Sequence, residues 1–205
     1  MRNRYITWLK RKTHKHQIAS RANFKTQGCG IYGIGGVGNT KIGDLLSERR
    51  RKHCYIMHMS YNGTREQELW EYAKNNSVVG LDFPRYVKDD WSRVREWATR
   101  FVGKTWTRQF DVFCNEMRIH DIVLVLKGWD SLLGVGEILD PDHAYDRNLS
   151  KTEEFFDHTR AVEWIRAYEF EEAQILAKPL RGFNNALSKV LPQSKRWKTL
   201  INTNI

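Results

Sequence analysis

The chain has 205 residues and a formal charge of +10, from 34 Lys and Arg against 24 Asp and Glu, a size that suits one hydrophobic core with or without an arm. Three cysteines, Cys29, Cys54 and Cys114, lie too far apart for Cys-x-x-Cys spacing, which excludes a disulfide framework and points to a reducing, cytoplasmic compartment. No apolar run approaches the roughly 20 residues of a membrane helix, and there is no secretory core segment.

The positive charge is unevenly spread. Residues 1–52 carry 13 Lys and Arg against two acids, Asp44 and Glu48, whereas residues 53–177 are net −7 and residues 178–205 carry six cations and no acid. The division predicts a basic amino-terminal arm over 1–52 and a domain over 53–205. The arm matches three compositions: a nucleic-acid-binding tail, a mitochondrial presequence and a disordered extension. Within it, Gly33-Ile34-Gly35-Gly36-Val37-Gly38-Asn39-Thr40 satisfies two phosphate-binding patterns on paper. The dinucleotide pattern wants an acid about 20 residues on, and none occurs between Glu48 and Glu66; the P-loop pattern wants Lys where Asn39 stands. A flexible linker fits better than a nucleotide site.

From Tyr55 the apolar periodicity begins. Tyr55 to Tyr61 is predicted as a strand, on which Cys54 and His58 share a face without forming a zinc-type ligand pair. Thr64 to Lys74 is predicted as a helix capped by Thr64 and Gln67, and Ser77 to Phe83 as a second strand stopped by Pro84. Asp89-Asp90 precede a helical pattern in which Trp91, Val94, Trp97, Ala98 and Phe101 are expected to pack in the core. Thr105 to Met117 continues as helix, with Trp106, Phe110, Phe113 and Met117 on one face.

The run from Ile122 to Leu126 is wholly apolar, as a strand covered on both faces should be. Lys127-Gly128-Trp129-Asp130-Ser131 has turn composition and sets a large aromatic at a loop tip, before a strand from Leu132 to Ile138 whose Gly134 and Gly136 leave room on one face. An acidic excursion, LDPDHAYDRN, leads to a strand containing Trp164, read as core. Leu180 to Leu191 and Trp197 to Ile201 are predicted as short amphipathic helices.

The succession MRIHDIVLVLKGWDSLLGVGEI, LDPDHAYDRN and HTRAVEWI resembles the EVE/PUA-like superfamily, which includes the YTH readers and the amino-terminal specificity domains of McrB-type restriction factors. The resemblance extends back through YIMHMSYNGTREQELWEYAKNNSVVGLDF, so it covers residues 55–170 or so. It implies an α+β fold, a small curved β-barrel flanked by helices, that holds a modified or flipped nucleobase in a pocket and has no catalytic machinery or cofactor. Carried over by strand, the pocket would be lined by Ser60 and Tyr61 and by Leu81, Asp82 and Phe83. YTH readers keep a cage tryptophan on that second strand, where this chain has Val79-Gly80-Leu81.

A base pocket needs aromatic walls and a few polar groups to read the base edge. Trp129 at its turn is the candidate wall, with a purely structural turn role as the alternative, and Asp130 the candidate acceptor. Phosphate contacts are expected from Arg85, Lys88, Lys127 and Arg160 on loops. The partners implied are DNA or RNA, with modification, and a restriction or defence protein; a membrane is not implied. Small-molecule sensing, protein interaction and a restriction-associated nuclease subunit remain as alternatives. For the nuclease, the common (D/E)-x-K arrangement is missing, since no acid has Lys two positions on and Glu48-x-Arg50 and Glu116-x-Arg118 offer only a side chain that keeps its proton. Signatures of a zinc deaminase and of a serine hydrolase are also missing, so a non-enzymatic module is expected.

Overall fold

The computed structural model describes residues 41–44, 53–59, 65–81, 90–145, 156–176, 186–191 and 194–202, all in a compact unit spanning Asn39–Ile205. Ile42 is buried in the same cluster as Cys54, Ile56 and Leu124, so the core recruits a residue from the segment assigned to the arm. The expected boundary at residue 52 falls inside this unit. The disorder expected of the arm concerns residues that, save for 41–44, lie outside those described.

The chain builds an α+β fold, a mixed sheet curled into a half-barrel and flanked by helices. The main strands are β1 (Cys54–His58), β2 (Val78–Leu81), β3 (Ile122–Lys127), β4 (Ser131–Ile138), β6 (His158–Ala167) and β8 (Leu187–Val190), in the order β2-β6-β4-β3-β1-β8. Two short strands, β5 (Ala144–Tyr145) and β7 (Gln174–Ile175), attach to β6 and β4. β1 runs parallel to β3, and the other pairings are antiparallel. Register shifts at Val125/Leu126 and Val135/Gly136 insert bulges, which increase local twist and curl the sheet. No ladder joins β2 to β8 among the described residues, so the sheet stays open where a small barrel was expected.

Alternation in the central strands divides the core as a sheet covered on both sides requires. Tyr55, Met57, Val123 and Val125 face one cluster, together with Trp70, Trp91, Phe110 and Phe113 from the helices. Cys54, Ile56, Ile122, Leu124 and Leu126 face the other, with Leu200. Gly134 and Gly136 serve the first face: a Cβ on Gly134 would stand 2.6 Å from the Trp70 ring, and one on Gly136 would meet Trp164 at 3.1 Å. What approaches these glycines is the protein's own tryptophans, and Trp70 fixes its position by donating from Nε1 to Tyr168 O at 2.9 Å.

The helices are α1 (Glu66–Asn76), α2 (Trp91–Phe101), α3 (Lys104–Asp111) and α4 (Lys195–Ile201). Four expectations change here. The N-cap of α1 is Arg65 at φ 66°, one residue after the expected Thr64, and its side chain makes no cap hydrogen bond; Gln67 Nε2 donates to Glu71 Oε1 at 2.9 Å, and Thr64 itself lies outside the described residues. The Thr105–Met117 helix is two pieces: α3 ends at Asp111 and a π-helical turn, Val112–Glu116, follows, with Met117 N–H donating to Val112 O. That wider turn brings Phe110, Phe113 and Met117 together inside. On α2 the buried face is Trp91 and Ala98, and Trp97 and Phe101 face outward, 41% and 66% exposed. Finally, Leu187–Val190 is a strand that pairs with β1. Its spacing mimics a helix, but the open edge of β1 offers hydrogen bonds that outweigh so short a preference.

Candidate functional site

Two ends of the sheet gather chemistry-bearing side chains. The first is the β3–β4 hairpin. The apolar run of β3 stops at Lys127, and Gly128 at φ 60° turns the chain, so Trp129 stands at the tip with 41% of its surface exposed. The ring of His58, from the end of β1, meets Trp129 edge-on with centroids 5.1 Å apart. Glu66, at the start of α1, accepts the Gly128 N–H; burial raises its carboxyl above the ordinary value despite that bond and the nearby Lys127 charge.

The neighbours of Trp129 are already engaged. Lys127 donates to Phe170 O at 3.3 Å and lies 3.9 Å from the centroid of that ring, so its ammonium fastens the hairpin to the segment after β6. Asp130 accepts from Ser131 Oγ at 3.0 Å, and its carbonyl from Leu176 N–H, which is turn chemistry. Trp129 is thus a fixed, accessible aromatic, and the polar groups beside it hold the turn.

The second end lies where β2 finishes. Leu81 is buried and pairs with His158 at the start of β6. Around His158 gather the rings of His143, stacked with centroids 5.5 Å apart, Tyr145 at 4.9 Å and Phe110 at 5.5 Å. His158 Nδ1 is 2.8 Å from Asp157 Oδ1, and His143 Nε2 is 3.9 Å from Asp90 Oδ2. His143 is held below its ordinary value by burial first, then by His158 and Arg160, with Asp90 and Asp142 opposing. Asp90 moves down too: burial would raise it, but hydrogen bonds from Ser92 and the charges of His143 and His158 outweigh that. Composition alone passed over this cluster. Its signals were a His and a Tyr two apart in HAYD, sharing a strand face, and an Asp-His pair opening β6.

Arg160 corrects an expectation. It sits on β6, fully buried, where its Nη2 donates to Met117 O at 3.1 Å and Asp140 O at 2.9 Å and its Nε lies 2.9 Å from Asp140 Oδ1. A guanidinium enclosed among carbonyls and a carboxylate is an internal strut, so it offers nothing to a surface phosphate. Ser60, Tyr61, Asp82, Phe83, Arg85 and Lys88 lie outside the described residues. Of the described site candidates, Lys127, Trp129 and Asp130 come together. Leu81 does not join them: β2 runs opposite to β1 and β3 through the ladder, which sets its end at the far end of the strands.

Other reactive groups are muted. Burial pushes the Cys54 and Cys114 thiols far up, which leaves them poor nucleophiles. Among the described residues no three His, Cys, Asp or Glu converge as metal ligands, and no described helix is long and apolar enough to cross a membrane.

A family model described as a domain of unknown function, DUF8426, matches residues 57–180. The chain belongs to the DUF8426 family. No curated protein and no solved structure matches it. The DUF8426 span opens in β1 and closes after β7, so it takes in both the hairpin and the histidine cluster, while β8 and α4 lie beyond it.

Proposed function

We propose that this DUF8426 domain is a non-catalytic reader of nucleic acid in the cytoplasm, in the manner of the EVE/PUA-like proteins, and that an extruded or modified base stacks on Trp129. One observation carries the reading: the indole stands 41% exposed at a hairpin tip and is braced by His58, so its free surface is large and its position set before any ligand arrives. A base leaving its stack needs such a surface, and stacking on an aromatic side chain contributes roughly 1–3 kcal/mol. The curled half-barrel with flanking helices supports the EVE/PUA-like assignment, and the buried thiols support a binding role over covalent catalysis. DNA or RNA carrying a modified base is the proposed ligand, and a restriction or defence protein the proposed companion.

Fluorescence anisotropy tests this with short labelled oligonucleotides that each carry one modified base. The tightest binder should lose roughly ten- to a hundred-fold in affinity on Trp129→Ala, about the stacking contribution of one base. Equal affinity of parent and variant for every oligonucleotide would remove Trp129 from the site.

A further inference from the structure

We infer that the outer flank of α2 and the start of α3 form a second surface, which binds the backbone and bases of single-stranded nucleic acid. It stands apart from Trp129 and does not depend on a base being held there.

The helix buries Trp91 and Ala98, yet leaves Trp97 41% and Phe101 66% exposed. These two rings, one turn apart, stack on each other with centroids 5.0 Å apart and planes 27° from parallel. They form a flat aromatic step in solvent, at a point where α2 already has its core contacts. Stacked exposed rings are what successive unpaired bases continue, whatever their identity.

The charge around the step selects the partner. Between Trp91 and Phe110 the chain carries Arg93, Arg95, Arg100, Lys104 and Arg108 against one acid, Glu96, and all six side chains are exposed. Arg93 is one turn before Trp97 and Arg100 one turn after, so cations border the rings along the helix. Arg95, Arg100 and Arg108 have carboxylate partners, Asp111, Glu96 and Glu116, while Lys104 makes no ion pair among the described residues. Residues 53–177 are net −7, so this flank is a local reversal of the domain's sign. Phosphates beside stacked bases fit that alternation of cation and ring, whereas an acidic protein would use the cations and leave the flat step unexplained. A membrane surface would call for a wider apolar face than two rings on an 11-residue helix whose other side is buried.

The test uses the full chain and labelled oligo(dT), read by anisotropy across a salt series, with parent, Trp97→Ala/Phe101→Ala and Arg93→Glu/Lys104→Glu side by side and thermal melts to confirm folding. The aromatic variant should lose about tenfold or more in affinity, and the charge variant should flatten the log–log salt slope by about 0.7 for each phosphate contact removed. Because the basic segment 1–52 can bind the same strand, photocrosslinking with 5-iodouracil oligonucleotides supplies a second readout, and adducts are expected on Trp97 or Phe101. Adducts confined to residues 1–52 together with unchanged affinity of the aromatic variant would overturn the proposal. So would a parent dimer that Trp97→Ala/Phe101→Ala renders monomeric, or anionic vesicles that bind through the same residues while oligo(dT) does not.

Discussion

The two ends of the sheet treat ring systems in opposite ways. Beyond β2, the rings of His143, Tyr145, His158 and Phe110 pack on one another, and Asp90, Asp157, Asp140 and Arg160 hold them or their neighbours. At the β3–β4 tip a single indole has one ring partner among the described residues and faces solvent. The contrast teaches that polar residue types do not by themselves mark a binding surface. The cluster richer in ionisable groups is the more enclosed one, with His158 and Arg160 fully buried.

If the enclosed end is structural, breaking it should cost stability first and most. Arg160→Met leaves Asp140 without its cation and the Met117 carbonyl without its donor. Half of the pair is fully buried, so the loss should be about 3 kcal/mol, seen as a lower urea midpoint at unchanged slope. A midpoint like the parent's would show that the strut is dispensable. Next in size is Gly80→Ala on β2. A Cβ there would sit 2.2 Å from Phe156 Cγ, so the ring or the strand must move, at a cost of about 1–3 kcal/mol. Pairing it with Phe156→Leu should recover part of that loss, which a double-mutant cycle would read.

Much of the scaffold was legible in the sequence because it rests on local pattern. The apolar run of β3, the turn at Gly128 and the Asp90 cap, which accepts Ser92 N–H at 2.9 Å, each follow from residue type and spacing alone. The misses have a common physical cause, which is long-range pairing. Leu187–Val190 became a strand because β1 had an edge to fill, and Trp97 turned outward because Trp91 and Ala98 already satisfied the core. Arg160 went inside because residues 20 and 43 positions away supplied its acceptors. For the candidate site, Trp129 at a tip was readable from turn composition. The histidine cluster was not, since it joins the start of α2, β5 and β6 across separate stretches of chain.

A smaller effect sharpens the contrast through pH. His143 is held below its ordinary value of 6.5, by burial first and then by His158 and Arg160 against Asp90 and Asp142. The folded state therefore binds this proton less readily than the unfolded chain. The stability linked to the group is complete above about pH 6.5 and is lost progressively as pH falls below it. Asp121 and Asp140, raised by burial, act in the opposite sense in the carboxylate range, so the comparison belongs at about pH 8 and about pH 6. His143→Phe should narrow the difference in urea midpoint between those two conditions. An unchanged difference would mean that other groups carry the pH dependence.

The smallest expected effect falls at the exposed end and decides what Trp129 is for. The indole is 41% exposed and touches the His58 ring by an edge, so Trp129→Ala truncates a half-buried side chain and not a core one. Stability should fall by about 1 kcal/mol or less, well short of a core truncation. A loss of about 3–5 kcal/mol, the usual cost of truncating a core tryptophan, would mean that the tip is packed like the interior and that the two ends do not differ after all. Stability and affinity must be measured on the same variant, because only a protein that stays folded can attribute weaker binding to a missing stacking surface. A small stability change with a large affinity loss would separate the tip from the enclosed cluster. There Arg160→Met should produce the reverse, a large stability change, and a loss of binding only in proportion to the unfolded fraction.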